Sequence, residues 1–176
     1  KFTALVRNAI GAAQSAALAA NHQKLTAEHV LAALLKDDNM TVKMLLAKAG
    51  ADSASLSALL NAGLDKLPQV TGSGAGQLQL DADLARIFAA AEAEAKARHD
   101  QFIAVDLLLL AMTKSTGSVG KILKKAGVEP APLGAAIDEM RKGRTADSDA
   151  AEDSYDALSR YTSDLTEAAR NGKLDP

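Results

Sequence analysis

The chain has 176 residues, a formal net charge of −2, 48% apolar and 24% charged residues, five aromatics (three Phe, two Tyr) and no cysteine. That balance fits one globular domain with an appendage, or two very small domains. It excludes disulfide frameworks and the common zinc sites, fits a reducing, cytoplasmic setting, and without a basic stripe argues against a nucleic-acid partner. No apolar run approaches the ~18 residues of a membrane helix and no signal peptide is visible. Starting at Lys1 and ending at Asp175-Pro176, the chain reads as a fragment. Helical periodicity runs throughout. Phe2, Leu5, Val6, Ala9, Ala13 and Ala17 trace one face of a first helix. Thr26 caps a second, with Val30, Leu31 and Leu34 inward. A third carries Val42, Leu45 and Leu46 and stops at Gly50, suited to a left-handed exit. A fourth, with Leu56 and Leu60, is stopped by Pro68. The glycine-rich stretch 69–79 is a linker.

The second half replays this order. Laid on the first at a constant offset of 77, it puts His22 on His99, Leu46 on Leu123, the Lys-Ala-Gly triplet at 48–50 on that at 125–127, and Leu56 on Leu133. Such self-similarity determines the architecture. The expectation is an all-α fold of two pseudo-two-fold-related four-helix repeats, residues 1–68 and 80–143, forming one domain over 1–143. Each repeat alone is too small to bury its faces well. After Gly143 come Asp147, Asp149, Glu152, Asp153 and Asp156, predicting a mobile acidic linker over 144–176, with a helix or two towards its end.

Chemistry-bearing motifs are scarce. Thr116-Gly-Ser-Val-Gly-Lys-Ile122 resembles half a phosphate loop, but its glycine spacing is short, no strand precedes it, and Ile122 replaces the metal-binding hydroxyl. Ser118 reads instead as a helix cap. His22, His29 and His99 lack the converging ligands of a metal site, and their placement suggests hydrogen bonding at helix ends. No nucleophile–base pair is evident, so no catalytic residue and no cofactor is expected in this chain.

The halves diverge in the sixth helix. At the offset of 77, Glu28, Ala32 and Ala33 become Val105, Leu109 and Leu110, leaving Ala104–Ala111 apolar apart from Asp106. Such a helix is either wholly buried, with Asp106 complementing its dipole, or presents an apolar groove. The groove would be formed by Leu107 and Leu110, with Phe88 alongside and Asp100 and Asp106 at its rim, and would take extended, unfolded segments.

The doubled pattern resembles the Clp N-terminal domain of AAA+ protein unfoldases. Leu67-Pro-Gln-Val-Thr-Gly72, Asp100-Gln-Phe-Ile-Ala-Val-Asp-Leu107 and the tail Tyr161–Pro176 are similar to the ClpB disaggregase group. The resemblance implies a substrate-engaging domain that binds unfolded or aggregated polypeptide, on a homohexamer cooperating with the DnaK system. Asp100, Asp106, Phe88, Ala90 and Leu107 match its contact positions, although Ala90 is smaller than the usual side chain. ATP and Mg would be used by ATPase modules beyond Pro176. An adaptor-docking domain of a protease-coupled unfoldase is the alternative that the same fold allows.

Overall fold

The computed structural model describes residues 1–37, 39–72 and 76–155. The chain runs through α1 (Ala4–Ala19), β1 (Lys24–Leu25), α2 (Ala27–Lys36), α3 (Met40–Lys48), α4 (Ser53–Asp65), β2 (Gln79–Leu80), α5 (Ala82–Ala97), α6 (Val105–Thr113), α7 (Ser118–Lys125) and α8 (Pro130–Arg141). The all-α, two-repeat architecture is thus present. The caps follow from local chemistry. Thr3 accepts from the Val6 N–H at the start of α1. Thr26 and His29 form a reciprocal capping box at α2. Asn39 and Asp52 cap α3 and α4. The Ser118 expectation is corrected: Gly117 is the N-cap of α7 and has no side-chain cap, while Ser115 Oγ accepts the Gly117 N–H at 3.0 Å.

The repeat register differs from the expectation in its first half. The N-caps Thr3 and Asp81, and Thr26 and Ala104, lie 78 apart. So do the left-handed residues Asn21 (φ 60°) and His99 (φ 65°). The parallel pairing of Leu25 with Leu80 recurs at the same offset as the bridge between Ile103 and Phe2. From Gly50 and Gly127, both at φ 93°, the offset is 77 and continues through Leu56/Leu133 and Leu60/Ile137, all buried. The first repeat therefore carries one extra residue between α2 and the buried stripe of α3. His22 corresponds to Asp100, not to His99, and Glu28 to Asp106.

The two units interlock. α1 packs on α2 and α5 on α6 within repeats, while α4 packs on α7 and α3 on α8 between them. The pseudo-axis passes beside Gly50 and Gly127, where a Cβ on Gly127 would lie 2.8 Å from the Gly50 carbonyl oxygen. Glycine is required there by both φ and the close approach.

The segment expected to be a mobile linker from 144 is instead packed through 155. Ala146, Ala151, Glu152 and Tyr155 are buried, and 151–155 are helical. Its acids are not all solvated: Glu152 sits under α6, while the exposed Asp149 pairs with Arg7 at 2.7 Å. The further helix expected in the tail lies outside the described residues.

Candidate functional site

α6 is the most apolar helix and it is central. Leu107, Leu108 and Leu109 are wholly inaccessible and Leu110 is 5% exposed. The groove expected along Leu107 and Leu110 is therefore absent. A helix apolar on all sides is stabilised by burial on all sides, and α5, α7, α8 and α3 surround it.

The acids expected at the rim are also interior. Arg141, at the end of α8, reaches between them. Its Nε and Nη2 donate to the two Asp106 oxygens at 2.6 and 2.9 Å, and its Nη1 donates to both Asp100 oxygens at 2.9 Å. The three side chains are 3%, 1% and 0% exposed for Arg141, Asp106 and Asp100. Asp106 also accepts from the Leu107 N–H at 2.8 Å and Asp100 from the Ala146 N–H at 2.9 Å. Burial opposes the Arg141 charge, but the hydrogen bonds and attraction of Asp106 outweigh it and hold the guanidinium above its ordinary pKa. Tyr155 lies across this cluster, its ring 5.4 Å from Arg141 and 5.0 Å from Arg144. Burial pushes its phenol up to about 12. Of the expected site residues, only Phe88 and Ala90 reach the surface. Phe88 is half-buried against Phe2, with ring centroids 5.1 Å apart, and Ala90 is exposed.

The groove exists in the other repeat. At the offset of 78, Ala90, Leu107 and Leu110 correspond to Ala12, His29 and Ala32. These three line a cleft of about 500 Å³ between α1, α2 and α4. Ala9, Ala16, Ala33 and Leu64 complete its apolar wall, and Asn8, Lys36, Asp37 and Asn61 supply its polar edge. Where repeat two has Leu110, repeat one has Ala32, and where repeat two has Arg141, repeat one has Leu64. His29 forms the cleft floor, 3% exposed. Its Nδ1 accepts from the Thr26 N–H at 3.0 Å, which assigns the hydrogen to Nε2, donated to His22 Nδ1 at 2.8 Å. Burial, with a smaller contribution from His22, lowers the His29 pKa to about 4, so the floor is neutral near pH 7. This cleft escaped sequence reasoning because its signal is an absence of bulk: alanines spaced around two helices in an alanine-rich chain.

The glycine pair near α7 does not fit a nucleotide. A Cβ on Gly117 would strike the Asp83 carboxylate, which Ser115 Oγ bonds at 3.0 Å, and one on Gly120 would strike the Ser115 carbonyl. Close packing against Asp83 and Ser115 uses both glycines. Among the described residues no group of His, Asp or Glu is placed to hold a metal, and no helix is long and apolar enough to cross a membrane.

Residues 1–157 match the Clp repeat (R) N-terminal domain. The chain belongs to this family. All of this Clp N-terminal domain is matched by the chaperone protein ClpB of Rhodopseudomonas palustris, at 46% identity over 177 residues, and by that of Rickettsia typhi at 36% over 176. The chain spans about a fifth (20%) of the length of these curated relatives. The Hsp104 N-terminal domain from Candida albicans superposes with a TM-score of 0.75 at 22% identity, covering 86% of this chain and 98% of that one. The N-terminal domain of the ClpV1 ATPase from E. coli EAEC superposes at 0.62 and 21% identity, covering 76% and 82%. These two likenesses establish the fold.

Proposed function

We propose that this Clp N-terminal domain is the substrate-engaging module of a longer ClpB-type disaggregase, and that it holds unfolded polypeptide weakly in the α1–α2–α4 cleft. The observation that carries this reading is the asymmetry of the repeats. Repeat two has Leu110 and the inward-turned Arg141 where repeat one has Ala32 and Leu64, and in repeat one these positions line an alanine-rich cleft. An alanine-lined wall tolerates many side chains, which suits an acceptor of varied unfolded segments. Phe88 and Ala90 offer a second, shallower contact on α5. Asp100, Asp106, Leu107 and Leu110 are proposed to shape the domain rather than to touch substrate. ATP and Mg, hexamer assembly and cooperation with the DnaK system belong, on this reading, to the longer protein.

Burying cleft surface yields roughly 25 cal/mol per Å², most of it offset by ordering an unfolded chain, so affinities on the order of micromolar or weaker are expected. The test is binding of reduced casein, set beside a panel of folded proteins, to the wild type and to Ala32→Leu. That substitution copies the side chain that repeat two carries at the equivalent position. Casein binding should fall at least fivefold in Ala32→Leu at unchanged stability. Unaltered casein binding in that variant would overturn the cleft, and preferential binding of folded proteins would favour adaptor docking.

A further inference from the structure

The second repeat has a site of a different kind, where the N-terminus, the start of α6 and the end of α8 meet. α6 has no cap of its own, since Ala104 stands where Thr26 caps α2. Its capping acceptor arrives from far along the chain. Glu152 Oε2 accepts from the Val105 N–H at 2.9 Å and from Thr3 Oγ1 at 2.7 Å. Asp149 adds two contacts: its carbonyl accepts the Ala4 N–H at 3.0 Å, and its carboxylate takes Arg7 Nη1 and Nη2 at 2.7 and 3.1 Å. The Ala146 carbonyl accepts from the Gln101 and Phe102 N–H groups, at 3.0 Å each. Residues 146–155 therefore lie in this junction as a peptide lies in a receptor, held by main-chain bonds, one seated carboxylate, one surface ion pair and one aromatic ring.

The fit is incomplete at its C-terminal end. Tyr155 is 2% exposed, yet among the described residues its hydroxyl has no hydrogen-bond partner, which a buried phenol ordinarily finds. Asp147, Ser148, Asp149, Ala150, Asp153 and Ser154 all face solvent, and the apolar burial of the segment is confined to Ala146, Ala151 and Tyr155. Its polar contacts are unequal: Glu152 is seated in the interior, whereas the Arg7–Asp149 pair is about half exposed on both sides, where such pairs contribute little.

We infer that this junction is a binding site for acidic–aromatic peptide segments, occupied in cis by residues 146–155, which leave it when a competing segment of the same kind arrives. What the site reads is a carboxylate able to cap α6 beside Thr3, followed three residues later by an aromatic side chain over Arg141 and Arg144. The inference is independent of the cleft in repeat one, and its failure would leave that reading standing.

A fluorescein-labelled peptide of residues 145–155 is the probe, titrated by anisotropy onto the full 176-residue chain. Tethering gives the internal segment an effective concentration on the order of millimolar, so the wild type should bind the probe poorly. The double charge reversal Asp149→Lys, Glu152→Lys should expel the internal segment and tighten probe binding at least tenfold. That gain should vanish for a probe carrying Glu152→Ala and shrink in high salt. No gain, or a gain indifferent to Glu152 in the probe, overturns the inference. A double variant that no longer folds overturns it as well, because the segment would then be a structural part of the domain. Hydrogen exchange on the wild type gives the second readout. The Ala4 and Val105 amides should exchange at least tenfold faster than the Leu109 amide inside α6, through local release of the segment. Equal protection of all three would mean that the segment leaves only on global unfolding, and the inference would fall.

Discussion

Arg141→Met is the most informative single change in this domain. The guanidinium is the shared partner of two carboxylates that are 0% and 1% exposed. Its removal leaves Asp100 with the Ala146 N–H and Asp106 with the Leu107 N–H, and leaves two like charges buried together. Breaking a buried pair from one side costs about 3–5 kcal/mol, which for a domain of this size corresponds to a fall in Tm of roughly 6–20 °C. Urea unfolding followed by far-UV circular dichroism measures it. A double-mutant cycle with Asp106→Asn separates the pair from its surroundings. Neutralising Asp106 removes part of the uncompensated charge, so the double variant should be less destabilised than the two single variants added, by about 1–3 kcal/mol. Lys48→Ala is the control, since the Lys48–Glu139 contact is 3.4 Å long with side chains 43% and 69% exposed, and should change stability by less than about 0.5 kcal/mol. An Arg141→Met cost below about 1 kcal/mol, or additivity in the cycle, would refute the buried-triad reasoning and return Asp100 and Asp106 to the surface.

Leu107→Ser removes a side chain that is 0% exposed and leaves a hydroxyl in an apolar setting, so it should cost at least the 2–5 kcal/mol typical of a buried Leu truncation; casein binding should be lost only to the extent that the domain unfolds, and a folded, stable, binding-deficient variant would refute the placement of α6. His29 sets a pH dependence. Its folded pKa of about 4 lies below the ordinary 6.5, so between these values the unfolded chain binds more protons and stability falls as pH falls. The contribution is fully present above about pH 6.5, and up to about 3 kcal/mol is lost on approaching pH 4. Urea midpoints at pH 7 and pH 5 should differ less in His29→Gln than in the wild type, and identical differences would show that His29 does not carry the effect.

The elements that sequence made legible are those with strong local chemistry. Gly50 and Gly127 punctuate the repeats because left-handed exits admit few other residues, and Leu56/Leu133 and Leu60/Ile137 mark the core because each is a large side chain in a regular stripe. The register of the first half was not legible at that resolution. α1 carries alanine on almost every face, so a slip of one residue exchanges alanine for alanine, and only the caps and left-handed residues reveal it. That slip produced the apparent divergence of α6: in the true register Glu28 meets Asp106, Ala33 meets Ala111, and the changes at the cleft-lining positions of α2 are His29 to Leu107 and Ala32 to Leu110. Arg141 was illegible for another reason. A basic residue in the last turn of a helix is expected from the dipole alone, so nothing local distinguishes a solvated arginine from one that reaches inward to two acids. The segment 144–155 has the composition of a solvated linker, and only the geometry shows Glu152 serving as the missing cap of α6.

The correspondence of the repeats bears on the division of roles proposed for them. The triad of repeat two has His22, Glu28 and Leu64 as its counterparts in repeat one. Leu64 and Ala32, standing where repeat two has Arg141 and Leu110, both line the cleft of repeat one. A buried ion triad is weak as a source of stability but fixes one arrangement of its helices, here α6 against α8. That arrangement is shared across the pseudo-axis, because α8 packs on α3 and α7 on α4, and α4 is one wall of the cleft. Repeat two can therefore hold α4 in place through packing. Repeat one then presents the alanine-lined cleft of about 500 Å³ at the surface beside that braced wall.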